Sequence, residues 1–190
     1  QKGLVWGASG EFVSSPRLDD LQCVFSCLRG FLAAEEGQSV PVLAVFHNEE
    51  VGSGTRQGAD STFLTDVLER LCAALGRDES GYRQAVANSF LVSADNAHAV
   101  HPAHPEYADP GEAPVLGGGV VIKYNAAQHY TSDGVSAALF QLLCEEMKLS
   151  MVPRLLQAVL MLGWAISAGA VRWTAAKAAV LVLIGALIGP

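Results

Sequence analysis

Two adjacent glutamates, Glu49 and Glu50, lie in the segment AVFHNEEVGSG, between an apolar run and a glycine-containing turn. Like charges this close raise each other's pKa and cost stability unless a cation or a proton separates their roles. A solvated loop would explain the pair by itself. Two further acidic residues occupy similar positions, however: Asp19 opens a predicted helix in PRLDDL, and Asp95 ends a predicted strand in SADNAHAVHP.

The chemistry that such residues could perform follows from their placement. Ligand groups in open α/β sheets gather at the carboxyl ends of strands, and carboxylates that converge there need a multivalent cation to neutralise them. A site with two metal ions uses one carboxylate as a bridge, others as ligands of one ion, and one as a proton shuttle. Adjacent glutamates suit the last two roles. The pattern therefore indicates hydrolysis by a metal-activated water.

The elements that must position these residues alternate along the chain. Apolar residues at three- and four-residue spacing predict helices within 11–38, 58–76 and 132–148. Short apolar runs predict strands at 40–46, 89–95 and 120–125, the first of them covered on both faces. The four prolines of residues 101–114 predict a loop. This alternation predicts an α/β fold, a three-layer sandwich in which helices cover both faces of a mixed β-sheet.

Charge and cysteine usage narrow the class of protein. The net charge is −7, and the first 150 residues contain no basic cluster, so the sequence predicts no nucleic-acid partner. The four cysteines form no CxxC pair, and we expect them to be free and mostly buried in a reducing compartment, the cytoplasm. A disulfide framework and a cysteine-ligated zinc site are the alternatives.

A change of composition divides the chain into two predicted parts, residues 1–149 and an apolar helical tail at 150–190. The only charges after Pro153 are Arg154, Arg172 and Lys177. Three interpretations of the tail remain open. It forms a membrane hairpin within 155–188, it supplies buried core helices, or it is foreign sequence from an altered reading frame.

Four motifs together resemble one known family. The segments SPRLDDL, NEEVGSGTRQGA, SADNAHAVHPAHPEY and GGVVIKYNAAQHYTSD occur in the order and spacing of the aspartyl aminopeptidase and vacuolar aminopeptidase I family, which are dizinc metallopeptidases. The resemblance covers roughly residues 1–146. It implies a zinc-peptidase-like catalytic domain, removal of N-terminal residues from peptide substrates, two Zn²⁺ ions in each active site, and a homo-oligomer, usually a dodecamer.

The resemblance also implies a role for individual residues. Asp19 would bridge the two zinc ions, Glu50 and Asp95 would each bind one ion, and Glu49 would be the general base. Lys123 and His98 would lie near the substrate. The residue pattern by itself indicates no metal-binding role for Asp20 or for the histidines near the acidic residues. Asp20 is expected to be solvated or to cap the helix. We expect His47 to make hydrogen bonds within its loop, and we expect structural or surface roles for His101 and His104.

The sequence also departs from the family pattern. Two zinc ligands of the family are histidines in segments that have no match here, and no histidine follows His129. We therefore expect an incomplete catalytic domain with reduced or no activity. Two alternatives stay open: a non-catalytic, membrane-associated protein that reuses the peptidase scaffold, and a related dizinc hydrolase such as a deacylase.

Overall fold

Helices and strands alternate along the chain, which confirms the predicted α/β class. The computed structural model describes residues 2–35, 37, 39–111, 113–124, 130, 132–146, 161–163 and 180–185, the last two segments as backbone. The strands are β1 (Leu4–Trp6), β2 (Phe12–Ser14), β3 (Val40–Val45), β4 (Phe90–Ala94), β5 (Met161–Gly163) and β6 (Val180–Gly185). The helices are α1 (Leu18–Ala33), α2 (Phe63–Ala74), α3 (Glu79–Ala87) and α4 (Gly134–Glu146).

The larger of the two described sheets has the strand order β3-β6-β4-β5, and β1 and β2 form a separate antiparallel hairpin. All strand pairs described in the larger sheet are antiparallel, whereas a mixed sheet was expected. Because β6 pairs with both β3 and β4, these two strands run in the same direction. Val180 lies opposite both Val45 and Ala94, so the carboxyl ends of β3 and β4 are level with each other.

Successive residues of β3 pack on opposite sides of the sheet, as the alternation of side chains along a strand requires. Leu43 packs against a cluster that contains Cys23 of α1, whereas Ala44 packs in a cluster with Leu64 and Leu68 of α2. Helices α1 and α2 therefore lie on opposite faces of the sheet. In a third cluster, Phe140 of α4 and other buried residues contact Phe90 at the start of β4.

The helix α1 buries a narrower face than its sequence indicates. Cys23 is buried, and Val24 and Cys27 pack beside it. The more regular apolar stripe lies on the exposed side of the helix; it consists of Leu18, Leu21, Phe25, Leu28 and Leu32. Periodicity thus predicts the helix correctly, while it does not identify the side that contacts the sheet.

Three other elements differ from the sequence prediction. The helix α3 was not predicted; Asp78 caps it by accepting a hydrogen bond from the Gly81 N–H at 2.8 Å. The predicted strand at 120–125 is not a continuous strand among the described residues of that segment. The predicted loop at 101–114 contains one 3-10 turn at Pro105–Tyr107.

The predicted helical tail is wrong for the two tail segments that the structure describes. Residues 161–163 and 180–185 are strands β5 and β6 of the larger sheet. The rest of 150–190, including most of the predicted membrane hairpin at 155–188, lies outside the described residues. Within the described residues, no helix has the length and apolar character needed to cross a bilayer. The boundary between residues 149 and 150 stays a prediction.

Candidate metal centre

Three aspartates converge where the start of α1 meets the end of β4. Asp19, Asp20 and Asp95 each offer a carboxylate oxygen, and these three atoms lie within 4.8 Å of one another. Asp95 is buried, Asp20 half-buried and Asp19 exposed. The structure therefore brings the predicted ligands Asp19 and Asp95 together. It adds Asp20, for which the sequence indicated only a solvated or capping carboxylate.

The backbone at the start of α1 explains how two consecutive aspartates reach one site. Arg17, which precedes the helix, adopts the left-handed conformation with φ 64°. Asp19 and Asp20 then have non-helical dihedral angles, with ψ values of 108° and 23°. Neighbouring side chains in a regular helix point about 100° apart. The irregular backbone lets both carboxylates face the end of β4.

The buried carboxylate of Asp95 has a cationic partner within the chain. The Lys123 ammonium donates a hydrogen bond to Asp95 Oδ2 at 2.7 Å, and only 14% of the Lys123 side chain and 6% of the Asp95 side chain are exposed. The same ammonium donates to the carbonyl oxygen of Asn96 at 2.9 Å. Lys123 was predicted near the substrate pocket, and the structure places it directly on a predicted metal ligand.

A cysteine thiol adjoins the aspartates on the side of α1. Cys23 Sγ lies 3.4 Å from Asn96 Oδ1, as donor to that oxygen. Burial raises the pKa of the Cys23 thiol, and a hydrogen bond with Asp20 and the charges of Asp20 and Asp95 raise it further. The pKa of Cys27 is also raised, by burial and by Asp20. Cysteines in such an environment remain neutral thiols near neutral pH.

All four cysteines of the chain are free. Cys23, Cys72 and Cys144 are buried, and Cys27 is half-buried. The prediction of free, mostly buried thiols is therefore confirmed.

The predicted ligand Glu50 and the predicted base Glu49 lie in the turn that follows β3. Glu50 is exposed and Glu49 half-buried. Among the described residues, the metal-competent group contains neither of them. The position of β6 explains this separation: it lies between β3 and β4, and two strand spacings are about 10 Å.

Local hydrogen bonds determine the shape of the glutamate turn. The His47 N–H donates to the Gln57 carbonyl at 2.9 Å, and the Asn48 side-chain amide donates to Thr55 Oγ1 at 2.9 Å. The His47 ring also contacts Asn48 Oδ1. These contacts give His47 the loop hydrogen-bonding role that the sequence predicted for it.

Gly58 permits the close approach of the two arms of this turn. A Cβ atom at residue 58 would overlap the carbonyl oxygen of Ser53, which itself accepts a hydrogen bond from the Asp60 N–H at 3.1 Å. By contrast, a Cβ at Gly54 would meet nothing closer than the Gly52 carbonyl oxygen at 4.0 Å. Only Gly58 is therefore required by packing in this pair.

The predicted substrate residue His98 lies in the loop after Asp95 and lines a cavity of about 410 Å³. His101, His104 and Tyr107 also line this cavity. The rings of His104 and Tyr107 are stacked with centroids 5.4 Å apart, and His104 Nδ1 lies 3.0 Å from Glu106 Oε1. The hydrogen bond to His104 lowers the pKa of Glu106. These contacts agree with the structural role predicted for His104.

The three aspartates fit a divalent cation by number and chemistry. Zinc binds carboxylate oxygens at about 2.0–2.2 Å, so two ligands of one tetrahedral ion lie about 3.4 Å apart. Small rotations of the carboxylates would bring oxygens that lie within 4.8 Å to this separation. Three carboxylates still provide fewer protein ligands than the four of a closed zinc site, and oxygen ligands accept several divalent metals.

Comparison with known proteins gives the class to which this fold and site belong. The family model described as aminopeptidase I zinc metalloprotease (M18) matches residues 1–171, which extends beyond the expected end of the resemblance at 146. The chain belongs to this family of zinc metallopeptidases.

Individual relatives agree with this assignment. The chain is 47% identical over 152 residues to a protein of Clostridium acetobutylicum named probable M18 family aminopeptidase 2, an alignment that covers 80% of this chain and 34% of that protein. It is 40% identical over 147 residues to aspartyl aminopeptidase 1 of Schizosaccharomyces pombe, covering 74% of this chain and 31% of the relative. The chain thus spans about a third of the length of these relatives.

A solved structure shows the same fold. The mApe1 dodecamer of S. cerevisiae superposes with a TM-score of 0.58 at 21% identity, covering 98% of this chain and 45% of that chain. At this level of identity the similarity supports the mixed α/β fold alone.

Proposed function

We propose that this chain forms part of the catalytic domain of a zinc-dependent aminopeptidase, which removes N-terminal residues from peptides. The observation that carries the proposal is the convergence of Asp19, Asp20 and Asp95, whose carboxylate oxygens lie within 4.8 Å. Membership of the M18 family and the names of the relatives support a peptidase reaction over the deacylase alternative. No observation among the described residues favours the membrane-associated alternative.

The proposed ligand set divides between two zinc positions. Asp95 would bind one ion, Glu50 the other, and Asp19 would bridge them. Metal ions of two-metal sites lie about 3.5–4 Å apart, and each ligand adds about 2 Å, so outer ligands are separated by about 8 Å. The strands that lead to Glu50 and Asp95 are about 10 Å apart at level positions, which suits ligands of different ions. Asp20 would support the position nearer α1.

Each proposed residue has a defined task in hydrolysis. Bound zinc supplies a water of lowered pKa and polarises the peptide carbonyl. Glu49 would accept the proton of the attacking water at its carboxylate and then donate it to the leaving amine. Lys123 holds Asp95 in place through its ion pair at 2.7 Å. His98 lines the cavity in the loop that follows Asp95, where a peptide side chain would bind.

We further propose that this chain, without the rest of the catalytic domain, hydrolyses peptides slowly. We also propose that the protein lies in the cytoplasm and forms a homo-oligomer. The aspartate cluster has fewer ligands than a four-coordinate zinc site. The free cysteines support a reducing compartment. The dodecameric assembly of mApe1 supports the oligomer.

Purified residues 1–190 test the proposal directly. We expect elemental analysis after dialysis to show bound zinc, and mass spectrometry to show slow loss of the first residue from peptides with a free amine. Peptides that are N-acetylated should remain intact. Glu49→Gln should retain zinc and lose cleavage, whereas Glu145→Gln on the exposed side of α4 should leave both unchanged.

Two results would contradict the proposal. If the unmodified chain holds no more zinc than Asp95→Asn, the aspartate cluster is not a zinc site. If acylated amino acids are cleaved faster than free peptides, the reaction is deacylation. Tight binding of two zinc ions together with rapid turnover would refute the reduced activity proposed for this chain alone.

A further inference from the structure

The side chain of Asn96 connects two parts of the aspartate cluster that are far apart in sequence. Its amide group donates to the Leu18 carbonyl at 2.8 Å, across 78 residues of chain. Its Oδ1 accepts from the Cys23 thiol at 3.4 Å, across 73 residues. Leu18 directly precedes Asp19, and Cys23 lies one turn further along α1. The Asn96 side chain thus forms hydrogen bonds with α1 before and after its two aspartates.

The backbone of Asn96 takes part in the same connection. Asn96 directly follows Asp95, so the hydrogen bonds of the Asn96 side chain also restrict the position of the buried Asp95 carboxylate. Its carbonyl oxygen accepts from the Lys123 ammonium at 2.9 Å, and that ammonium also binds Asp95. The peptide of Asn96 is therefore held from the side of Lys123 while its side chain holds α1.

The charges of the three aspartates oppose this arrangement. Three carboxylates within 4.8 Å repel one another, and the ammonium of Lys123 bonds to only one of them. Asp19 and Asp20 belong to a segment that would move away from β4 if only charge acted on it. Hydrogen bonds from a neutral amide oppose that movement without adding charge.

We infer that Asn96 is the positioning residue of the aspartate cluster, which holds the start of α1 against the end of β4 at metal-binding separation. This inference rests on the proposed function, because it assigns Asn96 a role toward the zinc ligands. Substitution of a residue that orients metal ligands typically lowers metal affinity by about 10–100-fold. Asn96 touches neither the metal position nor the substrate in this role.

Binding of Co²⁺ to the full chain tests the inference through affinity and through the visible absorption spectrum of the bound ion. We expect Asn96→Ala to weaken Co²⁺ binding about 10–100-fold and to change the spectrum, because Asp19 and Asp20 lose their fixed position. The matched control is Asn88→Ala, the same substitution at the exposed C-terminal end of α3, which should bind as the unmodified chain does.

A second pair of variants tests the same connection from the side of α1. Cys23→Ser retains a donor for Asn96 Oδ1 and should retain Co²⁺ affinity. Cys23→Ala removes the donor to Asn96 and also the contact with Asp20, while it keeps a good helix former, and it should weaken binding severalfold. The loss acts through Asn96 if adding Cys23→Ala to Asn96→Ala weakens binding no further. Equal affinity of these two variants, with Asn96→Ala binding like the unmodified chain, would overturn the inference.

The outcomes separate this inference from the proposed function. If the unmodified chain binds Co²⁺ no better than Asp95→Asn, the metal site and the role of Asn96 both fall. If the unmodified chain binds Co²⁺ and Asn96→Ala binds it equally well with the same spectrum, only the role of Asn96 falls. A loss of thermal stability in Asn96→Ala with unchanged affinity would also refute positioning, because it shows a purely structural contact.

Discussion

The aspartate cluster and the glutamate turn contain the same kind of side chain but are organised differently. The cluster is held by Asn96 and Lys123, whose bonds join residues distant in sequence. The glutamate turn contains several hydrogen bonds between residues 47 and 60, which are close in sequence. Long-range bonds fix where carboxylates lie relative to other elements, whereas local bonds fix only the shape of a loop. The two halves of the proposed zinc site therefore depend on different parts of the chain.

Disruption of the ion pair between Asp95 and Lys123 should lower the free energy of unfolding most. Asp95→Asn leaves the buried Lys123 ammonium without its counter-charge, and we expect a loss of about 3–5 kcal/mol in the free energy of unfolding. Urea denaturation measures this loss. The double variant Asp95→Asn with Lys123→Met should recover most of it, because the buried ammonium that lost its partner is then removed as well. A single variant as stable as the unmodified chain would show that the pair contributes little.

The glutamate turn should respond to packing instead of charge. Gly58→Ala places a Cβ against the Ser53 carbonyl, and we expect a loss of about 1–3 kcal/mol, measured by urea denaturation. Gly54→Ala, where the space is open, is the matched control and should change stability by less than about 0.5 kcal/mol. Co²⁺ affinity of the aspartate cluster should survive Gly58→Ala. If it collapses, the two regions are not independent.

Metal titration separates the ligands of the two proposed zinc positions. Because Glu50 lies outside the aspartate cluster, Glu50→Gln should leave the tighter Co²⁺ binding step within about twofold and weaken only a second step. Asp19→Asn should weaken both steps, since Asp19 is the proposed bridge. Isothermal titration calorimetry resolves the two steps. A loss of affinity in the tighter step for Glu50→Gln would instead place Glu50 on the same ion as Asp95.

The smallest expected effect concerns a purely local contact at the start of α4. Asp133 Oδ1 accepts hydrogen bonds from the Ser136 N–H and hydroxyl at 2.8 Å each, and these bonds lower the pKa of Asp133. A lowered pKa in the folded state means that the stabilisation is complete above the ordinary value of 3.8. It is lost as the pH falls through the lowered value.

Circular dichroism between pH 7 and pH 2 measures this contribution. We expect Asp133→Asn to match the unmodified chain at pH 7, because asparagine is also a good N-cap. Below the lowered pKa it should retain slightly more helix, since its cap does not titrate. Parallel pH profiles for the two proteins would show that the contact does not stabilise α4.

The sequence was sufficient to predict most long elements of the fold. Apolar periodicity predicted α1, α2 and α4 inside wider segments, and short apolar runs predicted β3 and β4 to within one residue of their observed bounds. The helix α3 was not predicted because it is short and its buried side consists of Ala85 alone. The tail strands escaped because short apolar runs do not distinguish a strand from a buried helix.

The candidate site was predictable in part for similar reasons. Position at an element end identified Asp19 and Asp95. Asp20 was missed because adjacency in a regular helix would point it elsewhere, and the sequence does not show the non-helical backbone at Asp19 and Asp20. The separation of Glu50 from the cluster depends on β6 lying between β3 and β4, a pairing between residues distant along the chain.

The central position of β6 affects how the chain acquires its structure. Among the described strands, β3 and β4 form no backbone hydrogen bonds with each other. They become neighbours in one sheet only when residues 180–185 pair with both of them. During synthesis on the ribosome, these two earlier strands therefore leave the exit tunnel long before their common partner. Contacts between such distant segments slow folding, so the growing chain has a prolonged interval in which its apolar strands can associate wrongly.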